Sequence, residues 1–339
     1  MNKIYLYPKV LNSENPYIMN LENSLSQQFD VVNKESNRNG VLDLFKFLFK
    51  ADIYYFNWIE NLASRRLGNI QIIVFILFLL IAKCLRKRIV WTLHNKYSHD
   101  KNSSKWTDLM FYLMFRYSGF IVTHSQSGVD FAKEKYPLYS DKVKYLIHPV
   151  KPVSLPAIKK DPVYNFFIWG TIWPYKGINE FLNFLNESGN SHLKVLIAGI
   201  CISDQVKIEL GKYLSSNIVY LDHFFNIEDI ALLSKDAEFT VFTYRPESVL
   251  SSGSLMDSIA MGSVIIGPNV GAFKDLSSYK FIKTYNTFND IITINNNYQP
   301  DRDSLTGDID AFCKENTWDL FGKKLCGMLN EKLKLKKHN

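Results

Sequence analysis

The sequence predicts an α/β protein of two doubly wound domains, and three observations carry that prediction. Short apolar runs alternate with longer amphipathic ones along most of the 339 residues. Strands alternating with helices of this length imply parallel pairing in an open sheet. The alternation halts once, at 149–162, a stretch that holds Pro149, Pro152, Pro156 and Pro162. Proline fixes φ and removes a donor, so the stretch continues neither a helix nor a central strand and reads as a linker. The alternation then starts afresh. The expected boundaries are 1–150 for a first Rossmann-like domain and 163–315 for a second. Residues 316–339 are expected to form a closing helix that packs back toward the first domain.

In the first domain the expected strands are Lys3–Tyr7, Ile53–Phe56, Ile89–Thr92, Phe120–Thr123 and Val143–Ile147. Helical periodicity lies between them at Tyr17–Phe29, Ile70–Leu85, Trp106–Tyr117 and Gly128–Tyr136. In the second domain the strands are Asn165–Trp169, Lys194–Ala198, Ile218–Leu221, Phe239–Phe242 and Val264–Ile266. Its helices are Gly177–Asn186, Asp204–Tyr213, Ile227–Ser234 and Gly253–Met261, with Trp318–Lys334 closing the chain. Two such domains are expected to face each other across a cleft at the carboxyl ends of their strands, where open α/β sheets bind ligands.

The chain is 47% hydrophobic and 22% charged, which excludes a disordered protein. Its cysteines, Cys84, Cys201, Cys313 and Cys326, show no zinc spacing and suit a reducing compartment better than a disulfide framework. Met1 to Lys9 runs straight into an apolar strand, so no leader peptide is expected. The net charge is +7, and residues 1–150 carry 20 Lys and Arg against 12 Asp and Glu. The basic excess therefore belongs to the first domain. It flanks an unbroken apolar run of 11 residues, Ile72 to Ala82, with Arg65 and Arg66 before it and Lys83, Arg86, Lys87 and Arg88 after. Spanning a bilayer takes about 20 apolar residues, so the run is too short to cross one. Two readings remain open: a core helix, or a helix pressed into a membrane surface with its cations at the headgroups. The cations at both ends favour the second.

The strongest chemical signal follows the strand at Phe239–Phe242. Tyr244-Arg245-Pro246-Glu247 ends it, and Ser251-Ser252-Gly253-Ser254 opens a helix that Gly262 stops. A helix start offers unpaired N–H groups and the positive end of the dipole, so it suits an anion. Ser and Gly equally serve as a plain cap and turn. A second loop tips the balance. Trp169-Gly170-Thr171-Ile172-Trp173-Pro174-Tyr175-Lys176-Gly177 also joins a strand to a helix, with glycine for clearance and Lys176 as a cation. Two such loops in one domain point to a diphosphate pocket, with Arg245 as a bidentate partner.

In the first domain, His94, Asn95, His99 and Asp100 crowd one strand end. Two histidines, an asparagine and an aspartate so close together are candidates for proton transfer. His124 follows the next strand, and Asn15 and Tyr17 flank Pro16 after the first, where Asn and Pro also make an ordinary helix start.

Together these blocks resemble the glycosyltransferases of the two-Rossmann GT-B architecture, near the large family 4 and its bacterial polysaccharide relatives. The likeness spans nearly the whole chain. It rests on Val90 to Asn95 with His99-Asp100, on Phe120 to Ser125, on Tyr145 to Pro149, on Trp173 to Gly177, and on Tyr244-Arg245-Pro246 with Ser252 to Ile265. The resemblance implies transfer of a sugar from a nucleotide-diphosphate donor to a lipid-linked or growing saccharide, on the cytoplasmic face of the membrane. Gly170, Thr171, Lys176, Arg245, Ser251 to Ser254 and Asp257 would hold the donor, Asp257 at its ribose. In the first domain Asp100 or His99 would be the base for the acceptor hydroxyl, His94 would contact the transferred sugar, and Asn15, Tyr17, Asn95 and His124 would touch the acceptor. It implies no bound metal and no cofactor beyond the donor, and no nucleic-acid partner is expected.

Two departures stand out. Trp173 occupies an arginine position of the phosphate loop, and Val249 the first of two acidic positions, with Glu247 two residues away. They leave room for a module that has lost catalysis, and a sugar-nucleotide epimerase of the same fold is a further alternative. No Gly-x-Gly-x-x-Gly follows the first strand, and neither a Walker lysine loop nor a nucleophile elbow occurs.

Overall fold

The structure is a computed structural model and describes residues 2–9, 16–36, 40–96, 104–153, 161–246, 249–298 and 302–334. The chain forms two compact units. One comprises Met1–Ile147 with Trp318–Asn339, the other His148–Thr317.

The first unit holds six parallel strands, β1 (Lys3–Tyr7), β2 (Asp30–Val31), β3 (Ile53–Asn57), β4 (Arg88–Leu93), β5 (Phe120–Thr123) and β6 (Val143–Tyr145). Their order is β2-β1-β3-β4-β5-β6. The crossover helices are α1 (Tyr17–Leu25), α2 (Asp43–Lys46), α3 (Gly68–Cys84), α4 (Ser104–Tyr117) and α5 (Gln126–Lys135). All five residues of β3 are buried, as befits a central strand covered on both faces.

The second unit repeats the plan with β7 (Tyr164–Trp169), β8 (Val195–Ala198), β9 (Ile218–Leu221), β10 (Ala237–Val241), β11 (Ile265–Pro268) and β12 (Ile282–Tyr285). Its helices are α6 (Ile178–Glu187), α7 (Asp204–Gly211), α8 (Ile227–Ser234), α9 (Gly253–Ala260), α10 (Gly271–Asp275), α11 (Phe288–Asn297) and α12 (Arg302–Glu315). Ser203 and Asn226 cap α7 and α8 by accepting from the backbone N–H of Val206 and Asp229. The sheet order is β12-β11-β10-β7-β8-β9, all parallel. Read from the other edge, this is the Rossmann order, in which the chain reverses direction between β7 and β10.

The last helix, α13 (Trp318–Lys334), belongs to the first unit. Phe321, Leu325, Cys326 and Leu329 join Leu21 and Leu25 of α1 in one core with β1 and β3. Gly322 permits the close approach, because a Cβ there would lie 2.7 Å from that of Ser24.

The sequence pattern yields five strands per domain, and the structure has six in each. The additions are β2 and β12, both on sheet edges. The first is only two residues long, and in the second only Ile282 and Tyr285 are buried. Edge strands lack the continuous apolar run that marks the central ones. The apolar run of the first domain becomes α3, which has one buried face and one exposed face. Ile72, Phe75, Phe78, Leu79 and Ala82 are buried, whereas Ile70, Ile73, Leu77 and Leu80 are exposed.

Candidate active site

The loops after β7 and β10 flank the point where the second sheet reverses, and they are knitted together. The Thr243 hydroxyl donates to the Lys176 carbonyl at 2.6 Å, and the Arg245 N–H to the Tyr175 carbonyl at 3.2 Å. Gly177 makes the junction possible. Its φ is +66°, and a Cβ there would sit 2.3 Å from the Thr243 carbonyl oxygen, so no other residue fits. The turn directs the Lys176 side chain back under the end of β7, where the residue is only 6% exposed. Its ammonium donates to the Trp169 carbonyl at 3.1 Å and lies 6.0 Å from the centre of the Tyr244 ring. Burial pushes the Lys176 pKa down to about 8, because the charged form is poorly solvated there.

The same space is bounded by the start of α9. A Cβ on Gly170, where φ is +86°, would meet the Lys176 ammonium at 3.3 Å and the Ser254 hydroxyl at 3.8 Å. The bare backbone of Gly170 thus leaves open the spot on which a buried cation and a helix-start hydroxyl converge. Ser252 is the N-cap, its hydroxyl accepting from the Leu255 N–H. Tyr244 reaches that hydroxyl at 3.3 Å. The Ser251 hydroxyl is buried and has no hydrogen-bond partner among the described residues. Such an orphaned polar atom is costly and calls for a ligand or water.

Asp257, one turn into α9, is half-buried. Burial raises its carboxyl pKa to about 6, and Lys151 opposes the rise. Arg245 is exposed and paired with Glu180 in the first turn of α6 through Nε, at 3.2 Å, and through its terminal nitrogen. Thr171 is exposed and Gly253 opens α9. Val249, at the first acidic position of the resemblance, is buried. Its carbonyl oxygen would lie 2.9 Å from a Cβ on Gly271, at the start of α10. Glu247 lies outside the described residues.

Three participants escaped the sequence reading. Ser258 accepts from the Trp169 indole N–H at 2.9 Å and ties α9 to the end of β7. Lys151, in the proline-rich stretch, faces Asp257. Glu180 holds Arg245. None stands in a local pattern that would single it out.

In the first unit, the carboxyl edge of the sheet is aromatic. Trp58 follows β3 in the left-handed conformation (φ 49°), costly for a bulky residue, and stacks on the His94 ring at 4.2 Å. His94 Nε2 bonds the Asn57 amide oxygen at 3.1 Å, which places the proton on Nε2 and makes Nδ1 the basic nitrogen of the neutral ring. Tyr17 meets His94 edge-on at 4.9 Å, and its hydroxyl donates to His124 Nε2 at 2.8 Å. His124 Nδ1 donates in turn to the Leu146 carbonyl at 2.9 Å. Tyr17 and His124 are thus buried members of a hydrogen-bonded chain, while His94 and Asn95 are half-buried. Trp58 is the member that the sequence reading lacked. Asn15, His99 and Asp100 lie outside the described residues.

No protein-family model matches the sequence, and no curated protein matches it. Solved structures do. Anabaena HepE in complex with UDP-glucose superposes with a TM-score of 0.68 at 12% identity, over 97% of this chain and 99% of that one. The lipopolysaccharide outer core galactosyltransferase WaaB gives 0.64 at 12% identity, again over 97% and 99%. AviGT4, a glycosyltransferase involved in avilamycin A biosynthesis, gives 0.57 at 12% identity over 99% and 98%. The fold is that of the GT-B glycosyltransferases, two Rossmann-like units in one chain.

Proposed function

We propose that this protein is a glycosyltransferase that takes a sugar from a nucleoside diphosphate. The observation that carries the reading is the convergence of the buried Lys176 ammonium and the Ser254 hydroxyl on the uncovered backbone of Gly170, at the reversal point of a Rossmann-ordered sheet. A buried cation beside a helix start is an anion site before any anion arrives. The UDP-glucose bound to HepE makes a UDP-sugar the first donor to try.

In this reading an acceptor hydroxyl attacks the anomeric carbon of the donor. Its proton passes to Asp100 or His99, the bond from that carbon to the diphosphate oxygen breaks, and the nucleoside diphosphate departs. Lys176, Arg245 and the N–H groups of Gly253 and Ser254 take up the charge that develops on the leaving group. Asp257 holds the ribose hydroxyls. His94 contacts the transferred sugar, with Tyr17, Asn95 and His124 around the acceptor. The acceptor is a lipid-linked or growing saccharide of surface-polysaccharide assembly at the inner face of the membrane, a reading supported by the basic charge and apolar run of the first unit.

The test is turnover of UDP-sugars together with thermal stabilisation by nucleoside diphosphates. UDP at 100 times its dissociation constant should stabilise the fold by about 2.7 kcal/mol. The Arg245→Ala variant should fold normally and lose turnover by about 100-fold. The buried Val249 favours a second reading, a GT-B module without catalysis. Failure of every nucleoside diphosphate to stabilise the protein, with no donor hydrolysis, would establish that reading in place of the enzyme.

A further inference from the structure

Helix α3 shows water a face that water does not favour. Ile70, Ile73, Leu77 and Leu80 are 56%, 59%, 52% and 47% exposed. Their spacing of three, four and three residues sets them in one stripe along the helix. Leu67 and Leu85 extend the stripe at either end and are exposed as well. The opposite face is fixed. Phe75 packs edge-on against Phe56 at 5.3 Å, and Phe78 against Tyr54 at 4.8 Å. The stripe therefore cannot turn inward without tearing α3 from β3.

The surroundings of the stripe are cationic. Arg66 stands exposed before the helix, and Lys83 and Arg86 stand exposed at its end. From Asn61 to His99 the sequence has seven Lys and Arg and no Asp or Glu. Neighbouring α4 adds Trp106 and Tyr112, both partly exposed, and its Tyr117 ring lies 5.7 Å from the Lys83 ammonium. On the other side Phe45 of α2 touches Phe78 at 5.8 Å, and exposed Leu42 and Phe49 flank that short helix. An apolar stripe with aromatic neighbours and cations at both ends matches a bilayer interface, where acyl chains lie beneath anionic headgroups. Charge also argues against a second copy of the chain. Two α3 helices laid together, parallel or antiparallel, would bring cations against cations. No helix among the described residues is long and apolar enough to cross a membrane, so the geometry is that of a helix lying in the surface plane.

We infer that the outer face of α3 is a docking surface for an anionic lipid membrane, with Ile70, Ile73, Leu77 and Leu80 at the acyl boundary and Arg66, Lys83 and Arg86 at the headgroups. The inference gives a place to the membrane side of the function proposed above, and its test is independent of the donor site.

Vesicles of phosphatidylcholine, with and without about a third phosphatidylglycerol, would be floated with the whole protein. The wild type should float with the anionic vesicles, weakly with the neutral ones, and less as salt rises. The double variant Ile73→Asp/Leu77→Asp should lose partitioning by about tenfold or more. The triple variant Arg66→Glu/Lys83→Glu/Arg86→Glu should lose it on anionic vesicles alone. All the altered side chains are exposed, and circular dichroism and the melting temperature verify the fold. Wild type that ignores anionic vesicles, or Asp variants that float as well as wild type, would overturn the inference. So would a dimer in solution that the Asp variants dissociate, since a second copy would then own the face. Stabilisation by nucleoside diphosphates and donor hydrolysis, measured on the same samples, separate this result from the donor-site reading: failure of every nucleotide and no hydrolysis, beside intact flotation, sinks the enzyme and leaves the docking surface standing.

Discussion

The two sheets of this protein end differently, although both are parallel, six-stranded and doubly wound. At the carboxyl edge of the second sheet, glycine leaves the backbone bare at Gly170, and a cation is buried beside it. At the same edge of the first sheet, rings fill the space. Trp58, His94, Tyr17 and His124 stack and bond to one another, and the chain of donors closes on the Leu146 carbonyl. One edge carries the cost of an incompletely paired charge, and at the other Tyr17 and His124 pair their polar atoms with each other and with the Leu146 carbonyl. In the proposed function the strong electrostatic work falls to the second unit, and shape and stacking to the first.

Removing the charge should break this contrast most. Lys176→Ala is expected to weaken UDP affinity by about 100-fold or more while the fold persists, measured by calorimetry. The low pKa of Lys176 adds a signature. With its pKa near 8, the free lysine loses its proton as pH rises through that value, and a bound diphosphate restores it. UDP binding should therefore weaken above about pH 8 and take up a proton there, read from calorimetry in buffers of different ionisation enthalpy. Lys176→Met should show neither effect. Proton uptake that persists in this variant would assign it to another group.

The two glycines beside this lysine sharpen the point. At Gly177 a methyl group would press on the fixed Thr243 carbonyl, so Gly177→Ala should cost stability on the order of 3 kcal/mol, seen as a lowered melting temperature. At Gly170 the nearest atom is the end of a flexible lysine side chain. Gly170→Ala should therefore cost about 1 kcal/mol of stability and show mainly as lost UDP affinity. Equal effects on stability would mean that the Gly170 space is a packing contact and no binding site.

How much of this was legible in the residues depends on how local each feature is. The central strands announce themselves by unbroken apolar runs, and the proposed phosphate loops by glycine, serine and a cation between a strand and a helix. Both are short-range patterns. The sheet edges β2 and β12 carry no such run. The Ser258–Trp169 bond, the Lys151–Asp257 approach and the Glu180–Arg245 pair join residues 89, 106 and 65 positions apart, and only the fold brings them together. Trp58 was hidden for a different reason. Its left-handed backbone, which turns the ring onto His94, is the kind of conformation sequence propensity assigns to glycine or asparagine. The apolar run of α3 was ambiguous because every residue of it is apolar, and only the fold divides it into a buried and an exposed face.

The aromatic edge has its own test. His94→Ala should lower turnover by about tenfold with UDP affinity unchanged, since Asn57, Trp58, Tyr17 and His124 of the first unit are among its partners. A parallel fall in UDP affinity would move His94 into the donor site and erase the division of labour drawn above.

The smallest effect on nucleotide binding concerns an acid that neither edge uses. Glu60, on the 3-10 helix after β3, is fully buried. One oxygen accepts from the Trp91 indole N–H at 3.4 Å, and the other has no partner among the described residues. Burial raises its pKa to about 7, against the weaker pulls of its own backbone N–H and of the indole hydrogen bond. The folded state thus holds the proton more tightly than the unfolded state does. Its contribution to stability is intact below the ordinary carboxyl value of 4.5 and is lost as pH rises through about 7. Glu60→Gln keeps the shape and removes the titration. The variant should match wild type in acid and exceed it by about 3 kcal/mol in alkaline buffer, the linkage energy of a carboxyl raised from 4.5 to about 7, seen in melting curves across that pH range. UDP affinity should not change at either end. Were the Gln variant less stable at every pH, the ionised carboxylate would have a partner that burial conceals, and the first unit would hold a charge centre of its own to set beside Lys176.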